Sequence, residues 1–267
     1  MKIVRVRTES GSVVYGAQQD GESILKLEGD IFGDFSVSGE AVSGKLLAPI
    51  EPTGILCIGL NYRAHAAETN SKLPEHPILF MKALNAVTGP DAPVVLPRHL
   101  NSTKVDYECE LAVVIGKAAK NVSKADALSY VLGYTCANDV SARDWQKHGG
   151  GGQWCRGKTF DTFCPLGPTL VTTDEIPNPN ALAISTTLNG EQMQGSNTAD
   201  MIFDVPTLIE FLSGSTTLLP GTVILTGTPA GVGMGRDPYV WLQPGDTCTV
   251  EIEGIGQLTN PIVEEEC

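Results

Sequence analysis

Apolar residues along this chain fall mostly into short runs of strand length, separated by turns that carry Gly, Asp and Asn. Near the N-terminus the runs alternate with polar positions, as strands with one buried face do. These runs are "KIVRVR", "SVVYGA" and "SILKLEG". From Ile55 the runs are longer and more continuously apolar, which indicates more deeply buried strands. They are "ILCIGLN", "PILFMKAL", "ECELAVVIG", "LGYTCANDV", "LAISTTLNG", "TVILTG" and "CTVEIEG".

Helical patterns are few and short. The stretch "SKADALSYVLG" predicts a helix with Ser123 as its N-cap, Asp126 at the capping-box position and Gly133 at its end. A second helix is predicted from Asp204 to Gly214, with a proline in its first turn. Because strands dominate and do not alternate with long helices, we expect an α+β, mostly β fold and not a doubly wound sheet.

The domain organisation follows the change in texture. Residues 1–50 predict a small N-terminal β module and a linker, and residues 51–267 predict one larger domain. A chain of 267 residues with 42% hydrophobic residues is long enough and apolar enough to bury a substantial core.

The charge balance restricts the partners. A formal net charge of −13 argues against nucleic acid or an anionic membrane surface, because both require clustered Lys and Arg. The sequence has no apolar run of signal-peptide or membrane-span length. We therefore expect a cytoplasmic protein, or a processed mitochondrial matrix protein if the source is a eukaryote. The seven cysteines are odd in number and form no CxxC pair, so we expect core thiols and neither a disulfide framework nor a zinc site.

The stretch "VDYECELAVVIG" raises a question about charge. Alternation along a strand would put Glu108 and Glu110 on one face, about 7 Å apart. Their repulsion increases as the site loses water, so a cation should compensate them. Asp139, at the end of another apolar strand, could supply a third oxygen ligand to a hard divalent metal. Solvated or ion-paired strand ends are the alternative, and the spacing alone does not decide between the two.

Further polar residues surround this stretch. Arg143 and Gln146 follow Asp139 at helical spacing, and "CRGKTFD" adds Arg156 and Lys158. In "GLNYRAHAAETN", His65 and Glu68 are three residues apart, so the carboxylate could orient the imidazole as a general base. The alternative is a surface His–Glu pair on a mobile loop.

The stretch "LTGTPAGVGMGR" resembles a phosphate loop only superficially. No GKS or GKT follows it, and it does not open a strand–helix unit, so a nucleotide is not expected. It predicts a strand that ends in a glycine-rich turn, where Thr226 and Thr228 could offer hydroxyl and backbone N–H groups to a carboxylate. A plain structural turn would give the same pattern.

Taken together, five motifs resemble the fumarylacetoacetate hydrolase family and occur in the family's order. They are "GLNYRAHAAE", "DYECELAVVIG", "NDVSARDWQ", "GKTFDTFCPLGP" and "LTGTPAGVG". The resemblance covers roughly residues 55–255 and implies the family's mixed β-sandwich or roll, while residues 1–50 are similar to the short variable N-terminal domain of many members. The chain resembles most the branch that acts on small 2-oxo acids, which includes acylpyruvate hydrolases, oxaloacetate decarboxylases and oxaloacetate tautomerases.

The resemblance also implies roles for individual residues and a homodimer. It implies that Glu108, Glu110 and Asp139 hold Mg²⁺ or Mn²⁺. It implies that His65 and Glu68 are catalytic residues on a lid and that Lys158, also catalytic, polarises the substrate. It implies that Arg143, Gln146 and Thr228 contact the substrate. One departure is Ile58, seven positions before His65, where larger members carry a fourth acidic ligand. This places the chain among the members with three carboxylates.

The implied chemistry is that of a short 2-oxo dicarboxylate or acylpyruvate. A 2-oxo acid can chelate the metal through its carboxylate and its 2-oxo oxygen, and a metal-stabilised enolate then leads to tautomerisation, decarboxylation or hydrolytic C–C cleavage. We expect oxaloacetate as substrate. The alternatives are a non-catalytic metal-binding or ligand-binding member, and an isomerase or decarboxylase of 2-hydroxy-dienoates from aromatic degradation. A metal-dependent phosphodiesterase is disfavoured because the chain has no basic track.

Overall fold

A computed structural model describes residues 1–19, 23–149 and 151–266. Gly150 and Cys267 lie outside these residues. Of the six described cysteines, five are buried and Cys155 is partly exposed, so the expectation of core thiols is confirmed for those five. Across the described residues, no helix reaches the length and hydropathy that crossing a lipid bilayer requires.

The N-terminal β module is a set of antiparallel strands, as its alternating runs predicted. Its strands are β1 (Lys2–Arg7), β2 (Val13–Gln18), β3 (Ile24–Gly29), β4 (Phe35–Val42) and β5 (Lys45–Leu47). β1 also pairs with a strand of the main body, where Lys2 lies opposite Val171. The module therefore extends the large sheet of the protein.

The remaining strands form the main body. They are β6 (Gly54–Gly59), β7 (Ile78–Lys82), β8 (Val87–Thr88), β9 (Val94–Leu96), β10 (Val105–Asp106), β11 (Cys109–Ile115), β12 (Val131–Asn138), β13 (Ser141–Ala142), β14 (Cys164–Thr172), β15 (Ala183–Leu188), β16 (Glu191–Asn197), β17 (Thr222–Leu225), β18 (Thr247–Ile252) and β19 (Gly256–Glu264). The large sheet has the order β4-β3-β2-β1-β14-β12-β11-β17-β6-β7, and a second sheet has the order β16-β15-β18-β19-β9.

The two sheets pack face to face. Strands β11 and β12 lie against β15 and β18, and β14 lies against β19. Because side chains alternate along β11, Leu111 and Val113 belong to the core cluster that also contains Val250 and Leu258 from the second sheet. The fold is therefore mostly β, as expected, with few helices.

The α-helices are α1 (Arg63–Glu68), α2 (Cys155–Lys158) and α3 (Val205–Ser213). The prediction of α3 is confirmed, because the Asp204 side chain caps it by accepting a hydrogen bond from the Thr207 N–H at 2.9 Å. Shorter 3-10 turns occur at Leu84–Ala86, Ala127–Tyr130, Thr198–Asp200 and Gly233–Gly235, and a π-helical turn spans Trp145–Gly149.

The helix predicted from Ser123 to Gly133 is wrong. Only a 3-10 turn forms there, and β12 already begins at Val131. The Ser123 and Asp126 side chains do hydrogen-bond at 2.7 Å, so the capping signal was real but only local. In place of the helix, β12 pairs with β11 and β14, with Gly133 opposite both Val114 and Thr172.

Candidate metal centre and active site

Three predicted ligands meet at one end of the large sheet. There the N-terminal end of β11 lies between the C-terminal ends of β12 and β17, with Cys109 opposite Asn138. Glu108 precedes β11, Glu110 lies within it and Asp139 follows β12. One carboxylate oxygen from each of these three acids lies within 4.8 Å of the others, and all three side chains are buried.

Two buried lysines contact these acids. Lys158 Nζ lies 2.7 Å from Glu108 Oε2 and 2.7 Å from Asp139 Oδ2. Lys82 Nζ lies 2.5 Å from Asp139 Oδ1 and donates a hydrogen bond to the Val140 carbonyl at 3.1 Å. Sequence reasoning missed Lys82, although its position two residues after Phe80 in alternating "ILFMK" puts both on the buried face of β7.

A third buried cation, Arg143, connects the centre to another acid that sequence reasoning missed. Its Nε and Nη2 atoms lie 2.9 Å and 2.8 Å from Asp106 Oδ2, and Nη2 also lies 2.6 Å from Glu108 Oε1. Asp106 further accepts N–H bonds from Gly233 at 2.7 Å and Met234 at 3.0 Å. The sequence did contain a signal for Asp106: it lies two residues before Glu108, so the alternation that places Glu108 and Glu110 on one face includes it.

The carboxylates respond differently to this environment. Burial opposes ionisation of Glu108, but Arg143 and Lys158 outweigh it and hold the pKa of Glu108 below its ordinary value. Burial raises the pKa of Glu110, and the charges of Asp139 and Glu108 raise it further. Glu110 accepts an N–H bond from Gly227 at 2.6 Å and, within the described chain, lies in no ion pair closer than 4.0 Å.

The buried carboxylate oxygens fit a hard divalent metal as ligands. Four buried carboxylates (Asp106, Glu108, Glu110 and Asp139) face three buried cations (Lys82, Arg143 and Lys158), which leaves one negative charge without a counter-charge when all are ionised. Oxygen ligands of this kind suit Mg²⁺ or Mn²⁺. The lysines and Arg143 pair with the other carboxylates, whereas Glu110, whose pKa is raised, has no lysine or arginine within 4.0 Å among the described residues. A divalent metal bound there would favour its ionised form.

The predicted pair of His65 and Glu68, with His65 as the general base, is present on α1. His65 Nδ1 lies 2.8 Å from Glu68 Oε2, and the other Glu68 oxygen accepts the Gly231 N–H at 2.8 Å. Burial opposes ionisation of Glu68, but the hydrogen bonds from His65 and Gly231 outweigh it, so the pKa of Glu68 is lowered. A charged Glu68 orients the ring through Nδ1 and leaves Nε2 of His65 available for proton transfer.

The predicted substrate contacts are hydrogen-bond donors. Gln146 Oε1 accepts from Arg143 Nη1 at 2.9 Å, so the Gln146 amide N–H groups stay available. Thr228 Oγ1 accepts from Gln194 Nε2 at 2.8 Å, which leaves its hydroxyl hydrogen available. In contrast, the Thr226 hydroxyl donates to the Leu111 carbonyl at 2.9 Å and is structural. The guanidinium of Arg156 lies 4.2 Å from the Phe160 ring centre, and Arg156 does not line the cavity that His65, Glu108 and Arg143 share.

Part of these groups lines one cavity of about 300 Å³, whereas Glu68, Lys82, Asp106 and Asp139 lie behind its lining. Its polar lining residues include His65, Glu108, Glu110, Arg143, Gln146, Lys147, Lys158 and Thr228. Its apolar lining residues include Ile58, Ile78, Phe80, Trp154 and Met234. Donors and carboxylates occupy the same small space, so the cavity suits an anionic, acceptor-rich molecule bound beside a cation.

Residues 54–263 match the family model described as fumarylacetoacetate (FAA) hydrolase C-terminal, and residues 1–54 match the model described as Rv2993c-like, N-terminal. The chain is 51% identical over 219 residues to the mitochondrial oxaloacetate tautomerase fahd2 of Xenopus laevis, covering 82% of this chain and 68% of the relative.

Two solved structures show the same architecture over the whole chain. The 2-hydroxyhepta-2,4-diene-1,7-dioate isomerase of Mycobacterium marinum superposes with a TM-score of 0.85 at 39% identity, covering 100% of both chains. The 5-carboxymethyl-2-hydroxymuconate delta-isomerase of Mycobacterium smegmatis gives a TM-score of 0.87 at 40% identity, covering 99% of this chain and 100% of the other.

Proposed function

The chain belongs to the fumarylacetoacetate hydrolase family, and from that premise we propose that it is a divalent-metal-dependent oxaloacetate tautomerase. One observation carries the proposal: His65, Glu108 and Glu110 line one cavity whose other polar groups are mostly hydrogen-bond donors. Behind them, Glu68 is bonded to His65, and Asp139 completes the three-carboxylate cluster. The similarity to the Xenopus laevis tautomerase supports the choice of oxaloacetate.

In this proposal Glu108, Glu110 and Asp139 hold Mg²⁺ or Mn²⁺. A metal held there would supply Lewis-acid polarisation of a 2-oxo group and would stabilise negative charge on its oxygen. Arg143, Gln146 and Thr228 donate hydrogen bonds to the substrate's oxygens. Ile58, Phe80 and Trp154 exclude water from the apolar side of the cavity.

His65 moves the proton. Conversion of enol to keto oxaloacetate removes one proton from the 2-hydroxyl group and adds one to carbon 3, so it needs neither an attacking water nor cleavage of a C–C bond. His65 Nε2 can accept and return that proton while Glu68 holds Nδ1.

Lys158 is a fixed positive charge in this proposal. Burial alone would lower the pKa of Lys158, but the charges of Asp139 and Glu108 raise it above its ordinary value. A lysine that stays protonated can position and polarise the substrate, and it is a poor base at neutral pH. His65 is therefore the better proton carrier.

A second candidate is isomerisation of a 2-hydroxy-dienoate. The full-length match to the two isomerase structures favours it, since that reaction also relocates a proton of a 2-oxo acid enol. A non-catalytic binding role is disfavoured because both His65 and Glu68 are present and in contact.

Several expectations remain predictions alongside this function. They are the homodimer, the division into residues 1–50 and 51–267, and the compartment, where the name of the Xenopus laevis relative supports the mitochondrial alternative for a eukaryotic source.

A substrate panel tests the proposal. With Mg²⁺ or Mn²⁺ supplied, we would follow ketonisation of enol oxaloacetate by absorbance, pyruvate release from oxaloacetate, acetylpyruvate cleavage, and isomerisation of 2-hydroxyhepta-2,4-diene-1,7-dioate. We expect ketonisation to have the highest kcat/KM. A higher value for the dienoate or for acetylpyruvate would replace oxaloacetate tautomerisation as the function.

A further inference from the structure

Lys147 differs in its surroundings from the other cations of the cavity. It follows Gln146 in the π-helical turn and lines the same cavity as Glu108 and Glu110. Lys158 and Arg143 each contact two carboxylates. For Lys147, no carboxylate oxygen among the described residues lies within 4.0 Å.

Lys147 is exposed and lines the cavity, so a ligand can reach its ammonium group. Burial and the Arg143 charge lower the pKa of Lys147 while Asp106 opposes them, so an anionic ligand beside Lys147 would favour its charged form. Arg143 is already engaged by Asp106, Glu108 and Gln146, so most of its N–H groups are occupied. Lys147 is therefore the positively charged side chain that an anionic group entering from the open side of the cavity can bind.

We infer that Lys147 determines specificity by binding the second carboxylate of a short 2-oxo dicarboxylate. This inference rests on the proposed function, because the three-carboxylate centre must take the 2-oxo acid end of the substrate. The other end of a four-carbon dicarboxylate then carries a negative charge, and a charge-assisted hydrogen bond to a lysine favours it over an uncharged tail.

The inference makes a ligand pair informative. 2-Oxobutyrate has the carbon chain of oxaloacetate with a methyl group in place of the second carboxylate. Both ligands present the same 2-oxo acid to the metal centre and differ only at the end that we assign to Lys147. Their ratio of affinities therefore measures recognition of the second carboxylate.

The experiment measures equilibrium binding of each ligand in the presence of Mg²⁺ by quenching of tryptophan fluorescence, since Trp154 lines the cavity. In Lys147→Met we expect oxaloacetate to bind about 10-fold more weakly, the scale of one partly exposed charge-assisted hydrogen bond. Binding of 2-oxobutyrate should change less than about twofold. Lys147→Arg should restore most of the preference.

Lys104→Met is the matched control, because it removes one positive charge from an exposed residue whose carbonyl bonds to the Arg143 N–H but which does not line the cavity. It should keep the wild-type affinity ratio. If Lys147→Met leaves the ratio of oxaloacetate to 2-oxobutyrate affinity unchanged, whether both ligands weaken equally or neither weakens, the inference is overturned. Because fluorescence reports occupancy of the cavity and not the rate of reaction, a wild-type protein that binds oxaloacetate but does not ketonise it would remove the proposed function and leave the assignment of Lys147 standing.

Discussion

His65 and Glu68 are joined by a hydrogen bond of 2.8 Å between Nδ1 and Oε2. The second oxygen of Glu68 is held by the Gly231 N–H, and Gly233 and Met234 of the same glycine-rich turn hold Asp106. One turn therefore fixes both the carboxylate that orients the imidazole and the carboxylate that orients Arg143. A shared piece of backbone therefore positions the His65–Glu68 pair and Arg143, for which we propose a role in substrate binding.

Replacement of Gly235 by Ala should disturb this arrangement. An added Cβ would lie 2.5 Å from Cδ and 2.7 Å from Oε1 of Glu68, so the Glu68 side chain must move off the Gly231 N–H. We expect kcat for ketonisation to fall about 10-fold, because the imidazole loses its orienting partner. Steady-state kinetics at saturating Mg²⁺ measure this effect.

Gly54→Ala is the control for that variant, because an added Cβ there has no neighbour within 4 Å. It should keep the wild-type kcat. If Gly235→Ala matches Gly54→Ala, the contact between the turn and Glu68 does not orient the base.

The segment around α1 should respond to ligand. The helix has only six residues, Arg63–Glu68, which is too short to be stable by itself, and its His65 faces the cavity. Oxalate with Mg²⁺ should therefore slow hydrogen exchange of residues 62–72. Oxalate without metal is the control and should protect these residues less. Equal exchange with and without the complete ligand would remove the idea of a lid.

Glu110→Gln is the sharpest test of the metal site. Its amide oxygen can still accept the Gly227 N–H, and no lysine or arginine loses an ion-pair partner among the described contacts. We expect Mg²⁺ binding measured by calorimetry to weaken about 10-fold or more, because one charged ligand of three is lost.

Asp139→Asn is less clean as a metal-site variant. It removes the charge that Lys82 and Lys158 pair with in the interior, which costs about 3–5 kcal/mol of stability for a broken buried pair.

If Glu110→Gln binds Mg²⁺ as tightly as the wild type, the three carboxylates do not form the metal site.

The cap of α3 gives a stability prediction away from the site. Asp204→Ala should lower the free energy of unfolding by about 1 kcal/mol, because the Thr207 N–H loses its acceptor. Burial opposes ionisation of Asp204, but hydrogen bonds from Thr207 and Lys124 outweigh it and lower its pKa.

A lowered pKa fixes the sign of the pH dependence. The stabilisation by charged Asp204 is complete above the unfolded pKa of about 3.9 and is lost as pH falls through the lower folded value. Urea unfolding at neutral pH should therefore separate Asp204→Ala from the wild type by more than unfolding at the lowest pH where both fold. An equal difference at both pH values would contradict the role of the charge.

Much of the metal centre could be predicted from sequence because its signals are local. Glu108 and Glu110 share a strand with a two-residue period, and Asp139 directly follows an apolar run. Lys82 and Asp106 were missed for a physical reason: their roles depend on contacts between distant segments. Lys82 lies 57 residues before its partner Asp139, and Asp106 lies 37 residues before Arg143.

The failed helix from Ser123 to Gly133 shows the same limit from the other side. A local cap and a helix-compatible spacing were both present, yet from Val131 onward the chain forms β12, which pairs with β11 on one side and β14 on the other. Tertiary pairing overrides local propensity where a segment is surrounded by sheet. Helix α3 packs its buried side, including Leu208 and Ile209, against the core and takes no part in strand pairing, and there the prediction is confirmed.

We propose above all that His65 carries the proton in a metal-dependent ketonisation of oxaloacetate. The most direct measurement follows the loss of enol absorbance at saturating Mg²⁺ for the wild type and His65→Ala, with Mg²⁺ affinity and pyruvate release recorded on the same samples. We expect His65→Ala to lower kcat for ketonisation about 100-fold or more, the scale of a lost general base, with Mg²⁺ affinity unchanged. Pyruvate release should fall much less, since decarboxylation requires only stabilisation of the enolate. Ketonisation at the wild-type rate in His65→Ala would contradict the account.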